Sequence, residues 1–304
     1  TRLLVPDIRL KMCYVHWIKV KELISAGIWN SISRLSQVLS DGLDLVITNI
    51  WISAYLMGEL SIAQQIPTYI STLTNTLINL FSPNLTMYYA KDDTEAVVKE
   101  LKLSMKFSSF FVNIIFCVLV VFGKYFVQLW VPNQDVNLIY SLLVVIMMSL
   151  MVSGVTTSLN NVFLITNRLK VNSIFWLIIS FTNVLFVFIY LNTTSLGIYA
   201  VAGVSKVTGI LGNLIFVPLY ACKCLKIKWN TFYPIIFRYI GTTFIMMIAF
   251  FGIKRLYVLP INWITFFVVC VIAGVAGCIV NFFVLLNHTE RSIMKNKIMA
   301  RVRK

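Results

Sequence analysis

Six polar side chains are strung through one apolar stretch near the start of the chain: Asn30, Arg34, Gln37, Asp41, Asp44 and Thr48, at steps of 4, 3, 4, 3 and 4 residues. On an α-helix turning ~100° per residue, these steps keep all six within a sector about 80° wide. Ile28, Ile32, Leu35, Leu39, Leu43 and Val46 cover the other faces. Such a helix can lie against lipid or protein on its apolar sides while the stripe looks into something wet. Each charge at mid-membrane costs roughly 2.5–3.5 kcal/mol, so Arg34, Asp41 and Asp44 need partners or water. Two arrangements meet that need. The three residues can line a pathway, or they can serve structure, with Arg34 bridging to Asp41 two turns on and Asp44 pairing with a neighbouring helix.

A second segment repeats the theme with Gln64, Thr68, Ser71, Asn75, Asn79 and Ser82 at steps of 4, 3, 4, 4 and 3. Pro67 near its start removes one backbone bond and predicts a kink. Later, Ala202, Lys206, Gly209 and Asn213 share a helix face, with the lysine about ten residues inside an apolar block and beyond easy reach of headgroups. Arg34, Gln37, Asp41 and Asp44 are expected to face the same polar interior as Asn75, Asn79 and Lys206. Gly203, Gly209, Gly212, Gly274 and Gly277 predict close helix packing.

Other chemistry is poorly supplied. His16 and His288 stand alone, with no carboxylate or cysteine at ligand spacing. The cysteines, Cys13, Cys117, Cys222, Cys224, Cys270 and Cys278, fall in apolar blocks or on the basic side of the chain, where disulfides do not persist. Cys222-x-Cys224 is too sparse for a metal site, and there is no Gly-rich phosphate loop, nucleophile elbow or Ser/His/Asp series. The sequence predicts neither an enzyme nor a bound metal or organic cofactor.

The elements that must position these residues follow from composition. Of 304 residues, 59% are hydrophobic and 12% charged, about half the ~25% charge of a soluble domain, and mean hydropathy is +0.85. The class is all-α: a polytopic membrane helix bundle. Outer-membrane barrels are excluded, because their strands alternate apolar and polar residues over ~10 positions. The net charge of +15 lies mostly between and beyond the apolar blocks, which points to membrane topology rather than nucleic acid.

Apolar blocks separated by charged punctuation predict eight spans, at 24–51, 60–83, 107–126, 138–165, 172–191, 196–221, 234–253 and 263–286. Lys and Arg favour the cytoplasmic side. One set of loops holds Lys91, Lys99, Lys102 and Lys106, then Arg168 and Lys170, then Lys223, Lys226 and Lys228, and a tail from Arg291 to Lys304; the other holds only Lys124, Lys254 and Arg255. Both termini are therefore expected in the cytoplasm. The division reads as an interfacial lead-in at 1–23, six helices at 24–221, a cytoplasmic loop at 222–233, two more helices at 234–287 and a basic tail at 288–304. The inside loop 91–106 is expected to form a short solvated surface helix, and 53–59 and 192–195 to be little more than turns. With no Met at position 1, the chain reads as the later part of a longer protein.

The text of residues 27–71, "GIWNSISRLSQVLSDGLDLVITNIWISAYLMGELSIAQQIPTYIS", followed by "FSPNLTMYYAKDD" and "FGKYFVQLWVP", resembles the bacterial polysaccharide repeat-unit flippases of O-antigen and capsule type, within the multidrug/oligosaccharidyl-lipid/polysaccharide exporter superfamily. "FLITNRLK", "SLGIYAVAGVSK" and "ERSIMKNKI" continue the match in family order. The resemblance implies two six-helix lobes around a cavity with two extra C-terminal helices; spans one to six would be the second lobe (the C-lobe), and the N-terminal lobe a missing partner. It further implies transport of a lipid-linked oligosaccharide pyrophosphate across the bacterial plasma membrane by alternating access, with membrane lipid around it and polysaccharide polymerase machinery as a partner. Arg34 and Lys206 would then offset the pyrophosphate charge, and Gln37, Asn75, Asn79 and Asn213 would contact sugar hydroxyls. Asp41 and Asp44 would take a coupling H+ or Na+, or hold the arginine. Two other readings are a drug or metabolite exporter, which would prefer an aromatic-lined cavity, and a membrane-embedded transferase or polymerase. The latter normally needs carboxylates or histidines on a sizeable outer loop, where this sequence has only Glu59 and Asp135.

The charge asymmetry generates a test of topology. Single cysteines placed at 192–195 in intact cells are expected to react with an impermeant outside reagent, and one beside Arg301 to stay unlabelled; labelling at Arg301 would refute the orientation.

Overall fold

In a computed structural model, which describes residues 17–256 and 262–284, short polar residues cap helices where the apolar blocks begin. Ser53 Oγ accepts the Leu56 N–H at 3.1 Å, Asp93 Oδ1 the Ala96 N–H at 2.9 Å, and Asp135 Oδ1 those of Asn137 and Leu138 at 3.0 Å. These are side-chain acceptors for backbone donors that a helix start leaves unpaired. Gly197, at φ +52°, makes the turn between two spans that a residue with a Cβ would make under strain.

The helices run α1 (Trp17–Ile47), continued by a π-helical turn at Thr48–Ile52; α2 (Ala54–Asn79); α3 (Ser82–Ala90); α4 (Thr94–Trp130); α5 (Val136–Thr156), extended through a 3-10 turn into α6 (Asn160–Ile165); α7 (Leu169–Thr193); α8 (Ile198–Leu211), extended through a π-helical turn at Gly212–Phe216 into α9 (Val217–Leu225); α10 (Tyr233–Leu256); and α11 (Trp263–Val284). The described residues contain no strand, in keeping with the all-α expectation. Six of these units are long and apolar enough to cross a membrane: α4, α5–α6, α7, α8–α9, α10 and α11. The chain is thus a multi-pass membrane protein. The sequence reading had eight spans, the other two being α1 and α2. At 31 and 26 residues both have the length; the polar stripe of α2 keeps it out of the apolar set, and among the described residues α1 contributes a shorter apolar stretch, Gly42–Ile52.

α4 is the pillar of the bundle. Its 37 residues reach about 55 Å at 1.5 Å per residue, and 61% of its most apolar stretch is buried, against 17% for α7. Its membrane half joins one core with Phe116, Val121, Ile139, Leu142 and Met147; its first turns join a second core with Leu101, Leu159, Phe163 and Tyr239. The surface helix expected at 91–106 is corrected in part: the segment is helical from Thr94 with Lys91 and Lys99 exposed, but it is the start of α4 rather than a short separate helix, and Lys106 is only 8% exposed. The turn expected at 53–59 contracts to Ser53 alone. The peripheral helix α7 turns Ile174, Ile178, Phe181, Leu185 and Ile189 outward and Ser173, Ser180, Asn183 and Val187 inward, an apolar stripe suited to lipid opposite a polar one suited to protein. Residues 1–16, 257–261 and 285–304, with His16, His288 and the basic tail, lie outside the described residues.

Small residues set the closest approaches. A Cβ on Gly154 would meet the Val112 side chain of α4 at 2.7 Å, and one on Gly277 would meet Met246 at 2.8 Å and Ile114 at 2.9 Å. At Gly203 and Gly274 nothing lies within 4 Å, so the packing role expected of all five glycines is absent at these two. Gly154→Ala is expected to destabilise the bundle by about 1–3 kcal/mol through overpacking, read as a lower thermal midpoint in detergent, with Val112→Ala restoring part of the loss in the double variant.

Candidate functional site

α1 is held to α7 by hydroxyls. Ser173 Oγ donates to the Trp29 carbonyl at 2.8 Å and lies 2.7 Å from Ser33 Oγ. Two turns along, Ser180 Oγ donates to the Ser36 carbonyl at 3.0 Å. Serines seven residues apart fall on one helix face, and their small side chains let the two backbones come close. The Lys170 ammonium lies 5.5 Å from the Trp29 ring at the start of this seam, within the range of a cation–π contact.

The seam continues to α8 through Asp44. This carboxylate is 4% exposed, and its Oδ2 accepts the Ser205 hydroxyl at 2.9 Å. Its backbone carbonyl accepts Thr48 Oγ1 at 2.7 Å, where α1 passes into its π-helical turn. One turn beyond Ser205, Thr208 Oγ1 donates to Asn183 Oδ1 on α7. Oxygen-bearing side chains from α1, α7 and α8 are therefore paired along successive turns of α8: Asp44 with Ser205, and Asn183 with Thr208. A buried carboxylate among hydroxyl and amide oxygens, with no soft ligand, suits a proton or a hard cation. Lys206, half-buried, follows Ser205 directly in α8.

The polar stripe of α2 has a different setting. Ala63, Pro67, Ile70, Thr74 and Ile78 are buried against the bundle, while Thr68, Asn75 and Asn79 are exposed and Gln64 and Ser71 half-buried. The hydroxyls of Thr68, Thr72 and Thr76 donate to the carbonyls of Gln64, Thr68 and Thr72 in their own helix at 2.8–2.9 Å. Asn75 and Asn79 thus stand on an open polar face, whereas Asp44 is enclosed between helices. Asn213 is half-buried and fully engaged: its Oδ1 accepts Thr156 Oγ1 at 3.1 Å and its Nδ2 donates to the Gly209 carbonyl at 2.9 Å. Arg34, Gln37 and Asp41 belong to α1, and their side chains lie outside the described residues.

The sequence reading missed Ser33, Ser36, Ser173, Ser180, Asn183, Ser205 and Thr208. A signal was there: Ser173, Ser180 and Asn183, at steps of 7 and 3 inside an apolar block, have the same helical spacing that singled out the stripe on α1.

No known family model matches the chain. It is 25% identical over 229 residues to EpsK, an uncharacterised membrane protein of Bacillus subtilis (strain 168), which covers 75% of this chain and 45% of that protein. Among solved structures it shares its fold with the lipid II flippase MurJ in an inward closed conformation, with a TM-score of 0.55 and 16% identity over 84% of this chain and 51% of that one. The chain spans about half the length of the proteins it matches. A structure that shares its fold is thus that of a flippase and not of an enzyme.

The seam makes a measurable claim about coupling. In a double-mutant cycle of Asp44→Asn and Ser205→Ala, the unfolding free energies are expected to depart from additivity by about 0.6 kcal/mol and at most about 1.7 kcal/mol, as for other hydrogen bonds between membrane helices.

Proposed function

We propose that this chain is the second lobe of a flippase that carries an undecaprenyl-pyrophosphate-linked oligosaccharide repeat unit across the bacterial cytoplasmic membrane for polysaccharide biosynthesis, by ion-coupled alternating access. The observation that carries this reading is the open polar face of α2 beside the enclosed polar seam, on a fold shared with a lipid II flippase. A drug exporter would gain little from a wall of amides and hydroxyls, whereas a glycan has hydroxyls to match it.

Each polar element has a task in such a cycle. Arg34 and Lys206 offset the pyrophosphate while it crosses a medium of low dielectric. Gln37, Asn75 and Asn79 exchange hydrogen bonds with sugar hydroxyls, and Asn213 braces α8 against α5 at the back of the wall. Asp44, assisted by Ser205, Thr208 and Asn183, takes the coupling H+ or Na+, with Asp41 as charge partner to Arg34. Because this carboxylate ties α1 to α8, loading or unloading an ion there changes how the two helices are joined, which is the differential contact an alternating-access step needs. An N-terminal lobe forms the other wall of the cavity.

The test uses the intact protein with its first lobe and measures polysaccharide export per unit of membrane-inserted protein. Arg34→Ala and Lys206→Ala are expected to abolish export, and Arg34→Lys to retain part of it, since Lys supplies the charge without the planar fork of donors. A structural Arg34–Asp41 bridge would instead lower the amount of folded protein, and exchanging the two residues would restore it. Unchanged export per molecule in both alanine variants would overturn the charge-offset role.

A further inference from the structure

At the end of α2 remote from Asn79 is a buried carboxylate that the transport reading does not use. Glu59 is 2% exposed. Its Oε1 accepts the Asp135 backbone N–H at a long 3.5 Å, and its buried Oε2 has no hydrogen-bond partner among the described residues. No lysine, arginine or histidine among the described residues forms an ion pair with it. A carboxylate withdrawn from water without a counter-charge is strongly unfavourable, and a bound proton or a bound cation relieves it.

Two other oxygen-bearing residues lie beside it, one on the same helix and one before α5. Tyr55, one turn earlier on α2, has its phenol within hydrogen-bonding reach of Glu59 and inside the field of both Glu59 and Asp135. Asp135 precedes α5 and caps it through Oδ1. Both are exposed, so the buried carboxylate lies next to side chains that reach solvent. Behind it, Leu60 belongs to the apolar core with Val127 and Ile139.

We propose that Tyr55, Glu59 and Asp135 form a binding site for a divalent cation of the calcium class. Two carboxylates supply a charge that one divalent ion balances, and the donors are all oxygen, as hard cations require. The geometry joins a buried side chain to an exposed one on the same helix and another at the cap of α5, which suits the irregular coordination of Ca2+ better than the octahedral demand of Mg2+. With water completing the shell, affinity belongs to the weak range of extracellular modules, on the order of 10⁻⁴–10⁻³ M. A bound ion would pin the start of α2 to the start of α5. The site is independent of the transport reading.

The experiment titrates Ca2+ into the purified, chelator-stripped full chain in nanodiscs, following heat and the thermal unfolding midpoint, with Mg2+ as competitor. One saturable event and a rise in the midpoint are expected, since a ligand bound only by the folded state stabilises it. Glu59→Gln and Asp135→Asn should each weaken binding at least tenfold. Asp135→Asn is the safeguard if the buried variant fails to fold, because Asn caps a helix about as well as Asp. Absence of saturable binding to the unaltered chain, undiminished binding by Asp135→Asn, or binding won equally by Mg2+ would overturn the proposal.

Discussion

Inside hydrocarbon a polar group without a partner has no water to fall back on, and the arrangement of this bundle follows from that constraint. Several of its polar side chains are joined between helices: Ser173 and Ser180 to α1, Asp44 to Ser205, and Thr208 to Asn183. On the far side of α4, Asn113 Nδ2 donates to Asn281 Oδ1 at 3.0 Å and fastens α11 to the pillar. Apolar side chains cannot set such registers in lipid, because a leucine gains little by leaving lipid for protein. Small residues and hydroxyls decide which faces meet, and the apolar residues fill the remaining space.

This division of labour separates two kinds of polarity that look alike in one dimension. The stripes of α1 and α2 have the same helical spacing, yet one ends in a carboxylate enclosed by three helices while the other stays open. The difference lies in what each helix buries. α2 presents Ala63, Pro67, Ile70 and Thr74 to the bundle and turns its amides away; α1 lays Ser33, Ser36 and Asp44 against its neighbours.

Much of the architecture was legible beforehand. The apolar blocks became helices; the sequence reading did not single out Ser53, Asp93, Asp135 and Gly197 as their limits, although caps and turns act locally and leave local signatures. The basic segment around Lys99 was misread for the opposite reason. Its charges and spacing fit a solvated surface helix, but Leu101 and Met105 pair with Leu159, Phe163 and Tyr239, far away in sequence, and these contacts bring the segment into α4 and bury Lys106. The same holds for the seam: Asp44 stood out as a charge in an apolar block, but Ser205 as its partner is a fact of tertiary contact.

The threonine ladder on α2 has a consequence of another kind. Thr68, Thr72 and Thr76 each hand their proton to a carbonyl of the same helix, so this face is polar without being hungry. Along this side of α2 the hydroxyl donors are therefore spent within the helix, and only their lone pairs remain open to a neighbour.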